Sequence, residues 1–262
     1  MTPPLPSFAR SMRFASALAA ALIGPIPVSL AADSGSPLQS VGLFGVTGSG
    51  KLQTEARAVG SFQAIELHAS MDLVLRQGAR EAVEVRADDN LLALIETRVV
   101  SRAGVPTLEI GTKDHTQYSS SNPITVTIDV VTLRALSVRG SGNVTGDGLK
   151  VPGLKINLAG SGNVKLQRLS LDEASVKISG SGNADFTGKA ARLGLSIAGS
   201  GDVDTRELEA DDVSISVAGS GGASVNARKT LVVSIAGSGS VDYVGDAAVK
   251  TSIAGSGRVK KH

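Results

Sequence analysis

Seven Gly-Ser-Gly tripeptides cut the second half of the chain into nearly equal lengths, and no other feature restricts the fold so tightly. Their outer glycines are Gly140 and Gly142, Gly160 and Gly162, Gly180 and Gly182, Gly199 and Gly201, Gly219 and Gly221, Gly237 and Gly239, and Gly255 and Gly257. The steps between them are 20, 20, 19, 20, 18 and 18 residues. A fixed period near 20 marks a stacked repeat, in which each unit is one rung resting on the last.

The residues before each tripeptide say what the rung is made of. Counting back two, four and six places gives Leu158, Ile156 and Leu154, then Ile178, Val176 and Ala174, and the series runs on to Ile253, Thr251 and Val249. Apolar residues at a period of two belong to a strand with one buried face. The places between them hold Ser137, Asn157, Lys177, Ser196, Ser216, Ser234 and Ser252, which is the solvent side. Four residues beyond each first glycine the inward place recurs as Val144, Val164, Ala184, Val203, Ala223, Val241 and Val259. Each rung is therefore a strand, a glycine corner and a second strand. Asn143, Asn163, Asn183 and Asp202 follow the corner, where short polar side chains bond to backbone. The spacing predicts an all-β chain, a right-handed parallel β-helix or β-solenoid with 18–20-residue rungs. At about 4.8 Å per rung, seven rungs extend roughly 30–35 Å. With aromatics at 3% and no Trp, the interior must be filled by Val, Ile, Leu and Ala.

The first half is less regular. Phe62 to Leu73 aligns with Leu136 to Val144 when Ala69-Ser70-Met71 takes the corner, so it reads as a degenerate early rung. Alternating runs follow at 82–86, 107–110 and 124–130. Residues 89–99 suit a short helix or an outlying strand, and the polar stretch 111–122 a loop leaving the solenoid. The domain boundaries expected are a signal peptide over 1–31, a flexible lead-in over 32–60, and the β-helix over 61–262. Within that helix the early rungs are degenerate over 61–135 and regular over 136–262.

The signal reading rests on Arg10 and Arg13 before an apolar run from Phe14 to Ile26, then small residues at Ser29-Leu30-Ala31-Ala32. The run is short for a membrane span, and no other span is expected once it is removed. Export to the periplasm, outer-membrane surface or exterior follows. With no Cys, neither a disulfide framework nor a lipid-modified cysteine is available. Two of the 26 basic residues and none of the 24 acidic ones lie in the first 31 positions, so the mature chain is formally neutral. Neutrality argues against nucleic acid as a partner.

Several segments together resemble the bacterial head GIN domain of the auto-transporter adhesin type. They are Gly48-Ser49-Gly50-Lys51-Leu52-Gln53-Thr54-Glu55, Phe62 to Leu67, Asp88-Asp89-Asn90-Leu91-Leu92, Leu108 to Lys113, and the Gly-Ser-Gly-Asn/Asp corners. The resemblance covers about residues 43–257. It implies a right-handed β-helix exported by Gram-negative bacteria, with no established activity and no assigned catalytic residues. The chain shows no barrel-like C-terminal segments, so self-export is not expected of it.

Chemistry-bearing patterns are few. Gly45 to Lys51 fits seven places of a phosphate-binding loop, but Leu52 stands where Ser or Thr must hold magnesium. His68 on an outward strand position and His115 in a loop are the internal histidines, and neither is placed for a Ser-His-Asp set. Asp202 with Asp204, and Asp211 with Asp212, are the acidic pairs of the rungs, and no second rung repeats the first arrangement. Calcium-binding solenoids use a nine-residue repeat, half this period. No catalytic residue, cofactor or metal is therefore expected. The function expected is an exported, non-catalytic β-helical binding or structural module of the cell envelope, adhesin-like, with an unidentified envelope or surface partner. A cryptic polysaccharide-active enzyme is one alternative. Self-association through an open C-terminal edge, protected only by Lys260, Lys261 and His262, is another.

Overall fold

A computed structural model describes residues 45–262. The segment expected to be a signal peptide, and residues 32–44 of the expected lead-in, lie outside the described residues. Strands β1 (Val46–Thr47), β2 (Leu52–Arg57), β3 (Ala64–Leu67), β4 (Asp72–Gln77) and β5 (Ala82–Asp88) come first. After a 3-10 turn at Leu92–Leu94 come β6 (Ile95–Arg102) and β7 (Val105–Thr112). A second 3-10 turn at Lys113–His115 precedes β8 (Tyr118–Ser119), β9 (Thr125–Val130), β10 (Ala135–Gly140) and β11 (Asn143–Asp147). The regular rungs are β12 (Lys150–Gly160), β13 (Asn163–Gly180), β14 (Asn183–Gly199), β15 (Asp202–Gly219) and β16 (Gly222–Gly237). They finish with β17 (Ser240–Val244), β18 (Ala248–Gly255) and β19 (Arg258–Lys261).

From β10 onward every pairing is parallel and joins one rung to the next, which makes a β-solenoid of about six turns. Register aligns the inward residues into columns. One runs Ile65, Leu136, Ile156, Val176, Leu195, Ile215 and Val233, all buried. A second runs Leu67, Val138, Leu158, Ile178, Ile197, Val217 and Ile235, and the columns pack into a single core. Parallel strands of Val, Ile and Leu bury well because their branched side chains stack on a pleated surface.

The two glycines of a corner are required for different reasons. Gly180 has φ +131, a backbone region closed to other residues, and a Cβ there would stand 2.4 Å from the Gly160 carbonyl oxygen. Gly182 has no such φ, but its Cβ would meet both the Gly162 oxygen at 2.4 Å and Leu158 Cδ2 at 2.6 Å. The first glycine of every corner has φ between +119 and +132. Amide bonds tie the corners together, as from Ser181 and Gly182 to the Gly160 oxygen at 3.0 and 3.1 Å.

Among the regular rungs, length changes in one place only. Register shifts fall between Leu166 and Leu169, between Asp185 and Gly188, and between Thr205 and Asp212, always on the return side of the coil. From the apolar strand to the corner the register is unbroken.

The early rungs meet the regular ones as the alignment predicts. Leu67 pairs with Val138 and Leu73 with Val144, so Ala69-Ser70-Met71 lies below Gly140-Ser141-Gly142. Below β3 and β4 lie β7 and β9, still parallel. Three antiparallel strands close that end, β6 against β7, β5 against β9 and β2 against β5. The stretch 89–99 holds both a helical turn and a strand. Residues 52–57, expected to be part of a flexible lead-in, form β2, and residues 111–122 include β8, which pairs with β1. Both segments are ordered by partners that are distant in sequence.

Candidate functional site

The stack presents two outward faces, before and after the corner, and they treat charge differently. On the face after the corner, short polar side chains form a ladder. Asn143 Nδ2 donates to Asp72 Oδ1 at 3.0 Å, Asn163 Nδ2 to Asn143 Oδ1 at 3.0 Å, and Asn183 Nδ2 to Asn163 Oδ1 at 3.2 Å. The Asp202 amide donates to Asn183 Oδ1, and Asp202 Oδ1 accepts from the Gly222 amide at 2.8 Å.

Beside this ladder runs a column of Lys165, Asp185, Asp204, Ser224, Asp242 and Lys260. The carboxylate of Asp204 has counterparts in Asp185 one rung below and Asp242 two rungs above, but the pair with Asp202 is not repeated, since Asn183, Gly222 and Ser240 stand at the Asp202 position of the neighbouring rungs. Each of the three carboxylates is already engaged, Asp185 by Lys165 Nζ at 3.1 Å, Asp204 by Arg206 Nε at 3.0 Å and Asp242 by His262 Nε2 at 3.0 Å. The Arg206 guanidinium holds the Asp204 carboxyl below its ordinary range. A glycosidase acid needs the opposite shift. Asp211 is likewise held low by Lys229, and Asp212 accepts from Thr230 Oγ1 at 2.7 Å.

The face before the corner carries the two features of interest. The first is the cluster Glu66, His68 and Glu109, whose ligand atoms lie within 4.8 Å of one another. His68 Nε2 stands 3.3 Å from Glu66 Oε2. Glu109 is buried, and Arg98 Nε donates to its Oε2 at 3.0 Å while Arg102 holds its Oε1. Burial alone would raise the Glu109 carboxyl, but the hydrogen bonds from Arg102 and Arg98 outweigh it and hold the group below its usual range. Two guanidiniums on one buried carboxylate already supply the positive charge that a cation would bring. The cluster is an ion-pair network that fastens β6 to β7 and β3.

The second feature is a groove of about 1120 Å³ running across β3, β10, β12 and β13. Six basic side chains and three acidic ones line it. Arg102 faces Glu66 at 3.8 Å and Arg192 faces Glu173 at 3.2 Å. Arg134, Arg139, Lys155 and Lys177 are exposed and make no ion pair among the described residues. Asp172, also exposed, completes the acidic lining.

The loop at Gly48 to Lys51 does something other than hold phosphate. Ser49 N donates to Asn90 Oδ1 at 2.9 Å, Ser49 Oγ to Asp89 Oδ1 at 2.5 Å, and Asn90 Nδ2 to the Thr47 oxygen at 2.8 Å. Buried Asp88 accepts from Ser120 Oγ at 2.6 Å, Asn122 Nδ2 at 2.7 Å and the Gly50 amide, and these bonds hold its carboxyl low. Two carboxylates at the loop would repel a phosphate, so the motif is a staple for the first strands. His115 is exposed in its turn and bonds to none of these groups. The corner glycines Gly140, Gly160, Gly180, Gly199, Gly219, Gly237 and Gly255 stack on one another and touch no charged cluster. No helix among the described residues is long and apolar enough to cross a membrane.

Sequence reasoning missed the groove because its cations lie on different rungs. Arg134, Lys155 and Lys177 are about one rung length apart, and only the register shows that they share a face.

Solved structures share this architecture. One described as a "putative adhesin" from Bacteroides fragilis is 27% identical with a TM-score of 0.78, covering 83% of this chain and 100% of that one. Another, described as a "Putative lipid binding protein" from Parabacteroides distasonis, is also 27% identical, with a TM-score of 0.69 and coverage of 83% and 99%. A "putative adhesin" from Parabacteroides merdae, at 22% identity, 83% and 98% coverage and a TM-score of 0.65, shares the fold. Curated proteins give no match. The model of one family matches residues 61–247, and on that match the chain belongs to the family described as "Putative auto-transporter adhesin, head GIN domain".

Proposed function

We propose that this chain is an exported, non-catalytic binding module that works at the bacterial cell envelope. The observation that carries the reading is the contrast between the two faces. On one, Asp185, Asp204 and Asp242 are each engaged by a neighbouring cationic or imidazole side chain, and on the other a groove gathers four cations that have no ion-pair partner among the described residues. Rigid stacking fixes such groups without moving parts, which suits recognition. The basic flank and apolar run at the N-terminus support export.

Expression of the full chain in a Gram-negative host tests this. The recovered protein is expected outside the cytoplasm with Ala32 at its N-terminus. An intact leader on cytoplasmic protein would overturn the export reading.

One observation favours a second reading, self-association. Val249 and Ile253 are 39% and 42% exposed, although Leu231 and Ile235 beneath them in the same columns are buried. Exposed apolar groups on a strand edge invite another chain. Light scattering over a wide concentration range is expected to show a dimer that disappears in Ile253→Lys. A monomer at every concentration would refute it.

A further inference from the structure

We infer that the groove beneath Arg134, Arg139, Lys155 and Lys177 binds a linear acidic glycan, a polysaccharide carrying a carboxylate on successive sugars. The inference rests on the reading of the chain as an exported binding module and names its ligand class. Three observations lead to it.

The first is the imbalance of charge. On the face after the corner carboxylates meet neighbouring cations, as in the Lys165–Asp185 and Asp204–Arg206 pairs. In the groove the acids Glu66 and Glu173 already have arginine partners, and only Asp172 opposes four free cations. A cleft lined mainly by one sign of charge concentrates ligands of the other.

The second is the layout of those cations. Arg134 and Arg139 lie on the rung of β10, Lys155 on that of β12 and Lys177 on that of β13. Rungs are about 4.8 Å apart, so the positive charges extend over roughly 10 Å along the stack. One small anion cannot touch them all, whereas a chain with a charge on each ring can.

The third is what the lining lacks. The exposed large apolar side chains, Leu52, Val131, Val232, Val249 and Ile253, all lie outside the groove, so nothing there would enter a bilayer. No aromatic ring lines it either, and single-stranded nucleic acid is gripped by stacking on such rings. Recognition of a glycan here depends on carboxylate–cation contacts, for which Arg offers a bidentate fork and Lys a point charge.

Affinity electrophoresis of the folded protein through gels containing polygalacturonate or dextran provides the test. The wild type is expected to be retarded by polygalacturonate and not by dextran. Lys155→Glu with Lys177→Glu is expected to weaken retardation about tenfold or more, and Arg139→Glu alone to weaken it less. Lys250→Glu with Lys260→Glu, which changes net charge equally outside the groove, is expected to leave it unchanged. All of these positions are exposed, so melting curves should match the wild type.

Equal loss in the Lys250/Lys260 variant would overturn the proposal in favour of general charge attraction. Absence of retardation in the wild type would also overturn it, while export, judged by the N-terminus and cell fraction, would be untouched. Co-sedimentation with phosphatidylglycerol vesicles that the Lys155/Lys177 variant loses would assign the groove to a membrane surface and overturn the glycan.

Discussion

Residues 45–133 and residues 134–262 belong to one continuous stack, yet they are held together by different means. In the second part the same contact is made repeatedly. Glycine rests on glycine, asparagine bonds to asparagine, and a branched apolar side chain covers its counterpart one rung below. In the first part almost every important contact is made once. Asp88 gathers Ser120, Asn122 and Gly50, Glu109 gathers Arg98 and Arg102, and Tyr118 donates to the Ser70 oxygen at 2.9 Å. Repetition makes stability a property of the backbone path. Irregularity makes it a property of particular side chains.

The sharpest way to break the repeating part is at a corner. Gly180→Ala places a methyl group against the Gly160 oxygen and keeps a φ of +131, so a loss of about 4 kcal/mol or more is expected. Denaturant unfolding would measure it. A variant as stable as the wild type would show that corners can shift.

Next in size is the core, and there position in the stack matters. Ile197 is 1% exposed, and Ile197→Ala is expected to cost about 3 kcal/mol. Ile253 occupies the same column but is 42% exposed, so Ile253→Ala should cost less than half as much. Equal losses would mean that Ile253 is covered in solution.

The irregular part is broken by removing one acceptor. Asp88→Ala strands three donors in a buried site, and a fall in the melting midpoint of about 5 °C is expected. Because the folded carboxyl is held low, its contribution is complete above the ordinary carboxylate range, near 4. It is lost as pH falls below that range toward the folded value. Glu109 follows the same sign. The wild type should therefore lose stability on acidification more steeply than Asp88→Ala. Parallel pH profiles would show that Asp88 does not titrate with folding.

The smallest effect is expected on the exposed ladder. Asn163→Ala removes bonds to Asn143 and Asn183, and about 1 kcal/mol should be lost.

What could be read from sequence follows the same division. The period of Gly-Ser-Gly and the alternation before it locate Leu158, Ile178 and Ile197 in the core, because every rung restates the rule. Even the faint match of Ala69-Ser70-Met71 to Gly140-Ser141-Gly142 holds in the pairing of Leu67 with Val138. Strand β2 and the staple at Asp88 were not legible, since Gly48 to Lys51 and Asp88 to Asn90 are some 40 residues apart and nothing periodic connects them. The groove was hidden for a related reason. Outward positions are free to vary from rung to rung, so Arg139, Lys155 and Lys177 follow no pattern along the chain and become neighbours only when the rungs are stacked.

The confinement of register shifts to the return side of the regular rungs gives that part of the molecule a preferred place to change length. Between Leu166 and Leu169 and their counterparts Phe186 and Gly188, one residue is dropped without disturbing the strand that leads to the next corner. Between Asp185 and Gly188 and their counterparts Asp204 and Leu208, one is added back. That side can accept grafted loops or tags while the corner and the grooved face keep their geometry, so new binding segments can be displayed there without redesigning the scaffold.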